Sequence, residues 1–320
     1  MMNQKIQALR GASICAVVVI HTCAVGWGGV TTRPFVNFAV GMFVFLSGIL
    51  TKKRTDGRYT DLIVRRLRKC LVPYVLWSFL CAVINGSVKT FVPDIFFSRC
   101  NGIYYFILVY AQMVILTPIA FKLLDSSVSW IGWLITPITI FLIRYVCVIK
   151  NISVGFPFQG ELFAFWFLFY YLGLVLRNRY YTIKIDRNIW TRIYGLSLLI
   201  QLLEGWIWYK AGNYDMATTQ LKLSSILSTT VACIGAFQYF ENRKEIGLNK
   251  SSPLYRFMIL LGDNSFGIYL CHILVWRVFN KIVPEINVFP FSTVLVIVGS
   301  LMAVRVGHRI TGKYAYLFGL

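Results

Sequence analysis

Runs of about twenty apolar residues recur along the whole chain, and a run of that length at 1.5 Å per residue matches the thickness of a bilayer's hydrocarbon core. Ten such runs are legible, near residues 11–28, 35–51, 71–88, 103–121, 130–149, 161–176, 193–210, 221–240, 263–283 and 291–308. In lipid every backbone polar group must be satisfied within its own segment, so a chain built from these runs is expected to be all-α and polytopic. A balance of 58% hydrophobic to 14% charged residues fits that class and no soluble one.

The formal charge of +20 would suggest nucleic acid if the bases formed one face or a tail. They punctuate the apolar runs instead. With the N-terminus placed in the cytoplasm, Lys5, Arg10, Lys52 to Lys69, Lys122, Arg177 to Arg192, Arg243 to Arg256 and Arg305 to Lys313 fall inside. Only scattered bases such as Arg33, Lys89, Arg99, Lys150 and Lys210 fall outside. This asymmetry places both termini in the cytoplasm and excludes nucleic acid as the partner. The first run lacks a small-residue cleavage site and reads as a retained helix. Loops are short, and residues 1–320 are expected to form a single membrane domain with no appended soluble module.

The eight cysteines fall singly, nearly all in or at the edge of apolar runs, where a thiol behaves as a small hydrophobe; no disulfide framework is implied. No phosphate-binding GxxxxGK[ST] loop, zinc-type spacing or HExxH helix is present, so no metal is expected.

Within the first run, Arg10 and His21 are eleven residues apart, which brings them back to nearly the same helical face and separates them by roughly 16 Å along the axis. An always-charged group thus stands at the cytoplasmic rim below a titratable one near the midplane, where ionisable residues are costly and read as functional. Counted up from the cytoplasmic ends, Glu204 and His272 share the depth of His21, at roughly 14–17 Å. Arg144 and Arg277 lie nearer the outer surface, and Glu161 opens the sixth run there. Ser265, Tyr269, His272 and Trp276 recur at helical spacing along one face. Before the third run, Arg65, Arg66, Arg68 and Lys69 form the densest basic feature, read as an anchor for anionic lipid or as a phosphate cradle beside Arg10.

These residues bring the chain close to a known family. It resembles the acyltransferase 3 membrane family in the basic-x10-His spacing of Arg10 and His21, in Phe45-Leu46-Ser47-Gly48, and in Arg66-x-x-Lys69 followed by Pro73-Tyr74. Tyr104-Tyr105-Phe106 with Pro118, Tyr171-Leu172-Gly173, and the stretch from Gly262-Asp263-Asn264-Ser265 to Tyr269-Leu270-Cys271-His272 extend the likeness. Two departures stand out: the second basic motif has Lys69 where arginine is common, and the fourth run has Tyr-Tyr-Phe where tryptophan is usual.

The resemblance implies transfer of an acyl group, most simply acetyl, from cytoplasmic acyl-CoA to a carbohydrate or lipid-linked sugar. It makes His21 essential and Arg10 its partner, and assigns coenzyme A binding to Arg10, Arg65, Arg66, Arg68 and Lys69. His272 and Glu204 are candidate orienting or relay groups, and Arg144, Glu161, Tyr269 and Arg277 candidate acceptor contacts. His21 is open to two roles, general base or transient acyl carrier. A bacterial cytoplasmic membrane is the expected location, and self-association is left open. The competing class is a secondary transporter of a small anion or glycan, although no repeat or matched broken helices are evident.

Overall fold

A computed structural model describes residues 2–155, 158–178, 183–241, 252–286 and 288–320. The described residues are overwhelmingly helical, and no strand occurs among them. The first half of the chain contains α1 (Met2–Thr22), α2 (Trp27–Val36), α3 (Phe38–Ile49), α4 (Thr60–Ile84), α5 (Phe91–Phe96), α6 (Tyr105–Asp125), α7 (Ile131–Ile140) and α8 (Cys147–Ile149). Then follow α9 (Phe158–Glu161), α10 (Phe167–Asn178), α11 (Arg187–Lys210), α12 (Tyr214–Thr218), α13 (Leu223–Glu241), α14 (Pro253–Asp263), α15 (Ser265–Ile282) and α16 (Phe291–Thr311).

Among the described residues, six helical stretches are long and apolar enough to cross a membrane: Trp27–Ile49, Thr60–Ile84, Gly102–Asp125, Ile131–Ile149, Tyr214–Tyr239 and Phe291–Phe318. A seventh is counted if α14 and α15, bent by 84° at Asn264, make one broken span. The ten runs read from sequence thus give six to seven spans by this measure. The difference has identifiable sources. Helix α1 carries Lys5 and Arg10, and α11 carries Arg187, Arg192, Glu204 and Lys210, which lower their apolarity without shortening them. The expected run at 161–176 is broken: Glu161 ends α9, Phe163–Phe165 make a 3-10 turn, and a continuous α-helix begins only at Phe167 as the twelve-residue α10.

Other boundaries are corrected as well. The first run, expected to reach residue 28, ends as a helix at Thr22, and Gly26 with φ 67° turns the chain into α2. Arg33, expected in an outer loop, therefore lies inside a helix. The basic residues 65–69, expected as a loop before a span at 71, occupy the early turns of α4, which starts at Thr60. Arg179, Arg243, Lys244 and Lys250, counted in the basic segments, lie outside the described residues.

Two compact units emerge, each drawn from separate parts of the chain. The first comprises residues 1–46 and 180–306. Its N-terminal helix is gripped through glycine. A Cβ on Gly11 would collide with the Met258 carbonyl, and one on Gly262 would collide with that of Gln7, so α1 and α14 cross with their backbones in contact. Gln201 of α11 donates to Ser225 Oγ (2.6 Å) and accepts from Ser228 Oγ (2.6 Å), a pairing that satisfies buried polar groups between α11 and α13. Asn37, at the break between α2 and α3, donates to the carbonyls of Thr218 (3.3 Å) and Thr219 (3.2 Å). The opposite face of α11 exposes Ile189, Ile193, Leu196, Ile200, Leu203 and Ile207 at helical spacing, an apolar stripe suited to lipid.

The second unit comprises residues 47–179 and 307–320. Gly48 abuts the backbone of Tyr170 and Gly173, and Gly132 lies under the Tyr171 ring. Thr117 and Tyr170 share a buried hydroxyl contact of 2.8 Å. Lys53 pairs with Asp125 at 2.7 Å, tying the segment after α3 to the end of α6.

Candidate active site

His21 sits in the last turn of α1, partly exposed. The neighbouring Thr22 fixes that turn: its hydroxyl lies 2.9 Å from the Val18 carbonyl and 2.6 Å from the hydroxyl of Thr293 on α16.

The second imidazole arrives from the 84° bend. Helix α14 ends against α1 at Gly262, and Asn264 donates from its side chain to the Leu260 carbonyl (2.7 Å), closing the helix end. Ser265 then starts α15 in a new direction, and two turns later His272 is fully buried. Its Nδ1 lies 2.8 Å from the Tyr269 carbonyl and 3.1 Å from that of Ile268. Both neighbours are acceptors, so Nδ1 carries the proton and Nε2 holds a lone pair. Among the described residues Nε2 has no hydrogen-bond partner. The ring centroids of His21 and His272 are 5.4 Å apart with planes tilted by 44°, and the Tyr269 ring lies 6.1 Å from His272.

A third group of charges adjoins this pair. Arg33, one turn beyond Val30 on α2, acts electrostatically on His21. Lys222, just before α13, is 1% exposed and gives one hydrogen bond to the Ala217 carbonyl (2.7 Å). Its ammonium lies within electrostatic reach of both Arg33 and Glu204. The Glu204 carboxylate accepts from the Ser224 backbone N–H (3.2 Å). Gly205 makes room for this packing, since a Cβ there would sit 3.3 Å from both Lys222 Nζ and the Val30 side chain. The sequence reading missed Lys222. The signal was present: a single lysine at the second position of an otherwise uncharged run, when intramembrane charges seldom stand without purpose.

The remaining expected site residues divide between the units. Arg10 lies in α1 and donates to Gln7 Oε1 (3.2 Å), and Arg277 is exposed on α15. In the other unit, Arg144 is buried in a π-helical turn over Phe141–Val146, and Glu161 is buried at the end of α9. Arg66 is not on offer to solvent in the way its neighbours are. It donates to Thr51 Oγ1 (2.6 Å) and to the Leu50 carbonyl (3.2 Å), capping the end of α3, whereas Arg65, Arg68 and Lys69 are exposed.

Two neighbouring imidazoles, a fixed tautomer and a cluster of charges are groups whose chemistry allows them to take and give protons. The family comparison gives them a chemical class: the family model described as an acyltransferase domain matches residues 3–305. The chain belongs to the acyltransferase 3 family. No curated protein and no solved structure gives a significant match. This acyltransferase is thus a multi-pass membrane protein in which the matched region includes both histidines, the basic turns of α4 and the Lys222 cluster. The transporter reading gains nothing from the match.

Proposed function

We propose that this acyltransferase moves an acyl group, acetyl in the simplest case, from cytoplasmic acyl-CoA to a hydroxyl of a surface glycan or lipid-linked sugar. It works in the cytoplasmic membrane of a bacterium with both termini inside, an orientation supported by the asymmetry of its basic residues. The observation that carries the reading is the pairing of His21 with His272.

In this reading Arg10 on α1 is a basic group for coenzyme A phosphate, and so, each within its own unit, are Arg65, Arg68 and Lys69 on α4, where Arg66 shapes the helix end beside them. The pantetheine arm places the thioester near His21. Neutral His21 takes the proton of the acceptor hydroxyl as its oxygen attacks the thioester carbonyl; the C–S bond breaks, and the thiolate leaves and receives that proton. His272, protonated at Nδ1 and with its Nε2 lone pair unpartnered among the described residues, lies beside His21 as a second imidazole that can accept and return a proton during the reaction. A transient acyl-imidazole on His21 uses the same groups in two steps.

The test is saturable binding and slow hydrolysis of acetyl-CoA by purified protein. Wild type, Arg10→Ala, His21→Ala and an Arg65/Arg68/Lys69 triple alanine variant are compared. Binding lost with the basic residues and turnover lost with His21 support the donor half. Absence of saturable binding by wild type overturns it.

A further inference from the structure

The charges beside His21 are not balanced by one another. Among the described residues, neither Arg33 nor Lys222 has a carboxylate within ion-pair distance. Arg33 Nε is buried without a hydrogen-bond partner. An ammonium has three N–H donors, and fully buried Lys222 uses one, on the Ala217 carbonyl. Ser224 Oγ, two residues on, is also buried and unpartnered. Unfilled donors on two neighbouring cations are expensive inside a membrane protein, and such groups are normally paired. Glu204 acts electrostatically on Lys222 and accepts from the Ser224 backbone N–H, but it is one carboxylate beside two cations.

The geometry points to an anion-binding site: Arg33, Lys222 and Ser224 form a recognition site for a carboxylate or phosphate on the acceptor sugar, held next to His21. Resting on the acyl-transfer reading, this names the acceptor class as an acidic or phosphorylated sugar. A planar guanidinium and an ammonium offer several N–H donors to an oxyanion, and charge-assisted hydrogen bonds are about twice as strong as neutral ones. Lys222 and Arg33 act as binding groups that fix the acceptor, while the proton passes through His21.

The experiment uses the full chain in nanodiscs of phosphatidylcholine, which leaves no anionic headgroup to compete. Methyl glucoside, methyl glucuronide and glucose 1-phosphate are titrated into wild type, Arg33→Gln, Lys222→Met and Lys222→Arg, and each acceptor is then assayed with acetyl-CoA. The expected result is a preference of about ten-fold or more for the two anionic sugars, worth one factor of ten in Kd. It is lost in Arg33→Gln and Lys222→Met and kept in Lys222→Arg, whose survival shows that loss is not misfolding. Equal binding of all three sugars by wild type overturns the proposal, as does a preference untouched by the substitutions. A fall in kcat that is the same for every acceptor also overturns it, assigning the cations to the reaction's own oxyanion. Loss of the anionic preference in nanodiscs of phosphatidylglycerol, with the lipid competing at the site, overturns it in favour of a lipid headgroup. If the preference is found but acetyl-CoA is not consumed, the anion site stands and the acyl-transfer reading falls.

Discussion

His272 and His21 face each other at 5.4 Å between ring centroids, and the proton on His272 Nδ1 is held by the carbonyls of Tyr269 and Ile268. That arrangement fixes which nitrogen of His272 has a lone pair. Replacing His272 by Phe keeps a buried ring and deletes the lone pair. The expected result is a fall in kcat of about a hundred-fold, the cost of a misplaced reacting group. The Kd for acetyl-CoA should stay the same, measured by titration beside the turnover assay. His21→Ala should cost about 10²–10⁴ in kcat, the range of a lost general base.

Gly11 and Gly262 meet backbone from the opposite helix. Here the colliding atoms are carbonyls, which cannot rotate away, so even a methyl group forces α1 and α14 apart. Gly11→Ala and Gly262→Ala are each expected to destabilise by about 1–3 kcal/mol, as overpacking does, read as a lower unfolding temperature in detergent. Gly57, with no heavy atom near its ideal Cβ, has φ +64° and serves as a comparison in which strain without collision is measured.

Arg66 is separated in role from its basic neighbours. Arg66→Ala removes charged hydrogen bonds to Thr51 and Leu50 and is expected to cost about 1.5–3 kcal/mol of stability. Arg65→Ala, Arg68→Ala and Lys69→Ala should leave the unfolding temperature unchanged. They should weaken acetyl-CoA binding, with an effect that shrinks as salt rises. Thermal unfolding and acetyl-CoA titration at two ionic strengths separate the groups.

Asn37 stands at the break between α2 and α3, buried and bonded to the backbone that leads into α13. Asn37→Leu leaves two carbonyls without their donor and should destabilise by about 1–3 kcal/mol. Circular dichroism during heating checks it, with helical content at low temperature unchanged.

The helical class, the membrane setting and the family were legible because they rest on long apolar runs and on motifs whose order survives in one dimension. His21 and His272 were placed at one depth by counting residues, and the structure brings their rings together. The count could not show that Gly262 and Asn264 form a sharp bend, because the apolar pattern runs through it unbroken. Nor could hydropathy separate a short helix from a full span: α10 is as apolar as a spanning helix but twelve residues long. Arg33 was assigned to a loop because charge at the end of an apolar run ordinarily marks its boundary. Here the helix continues past it, starting from Gly26. Arg66 looked equivalent to its neighbours because a cap is a tertiary contact, invisible in a run of like charges.

Thr22 and Thr293 touch although they are 271 residues apart in the chain. The unit that holds both histidines is assembled from residues 1–46 and 180–306, whereas most of the other unit is the uninterrupted stretch 47–179. During synthesis the first helix must therefore enter the membrane long before its partners exist. Its histidine waits through most of translation without the groups that will surround it. Long-range contacts of this kind form late, so loss of the last third of the chain by premature termination strips the first helix of α13, α14 and α15 and leaves it α2 to pack against.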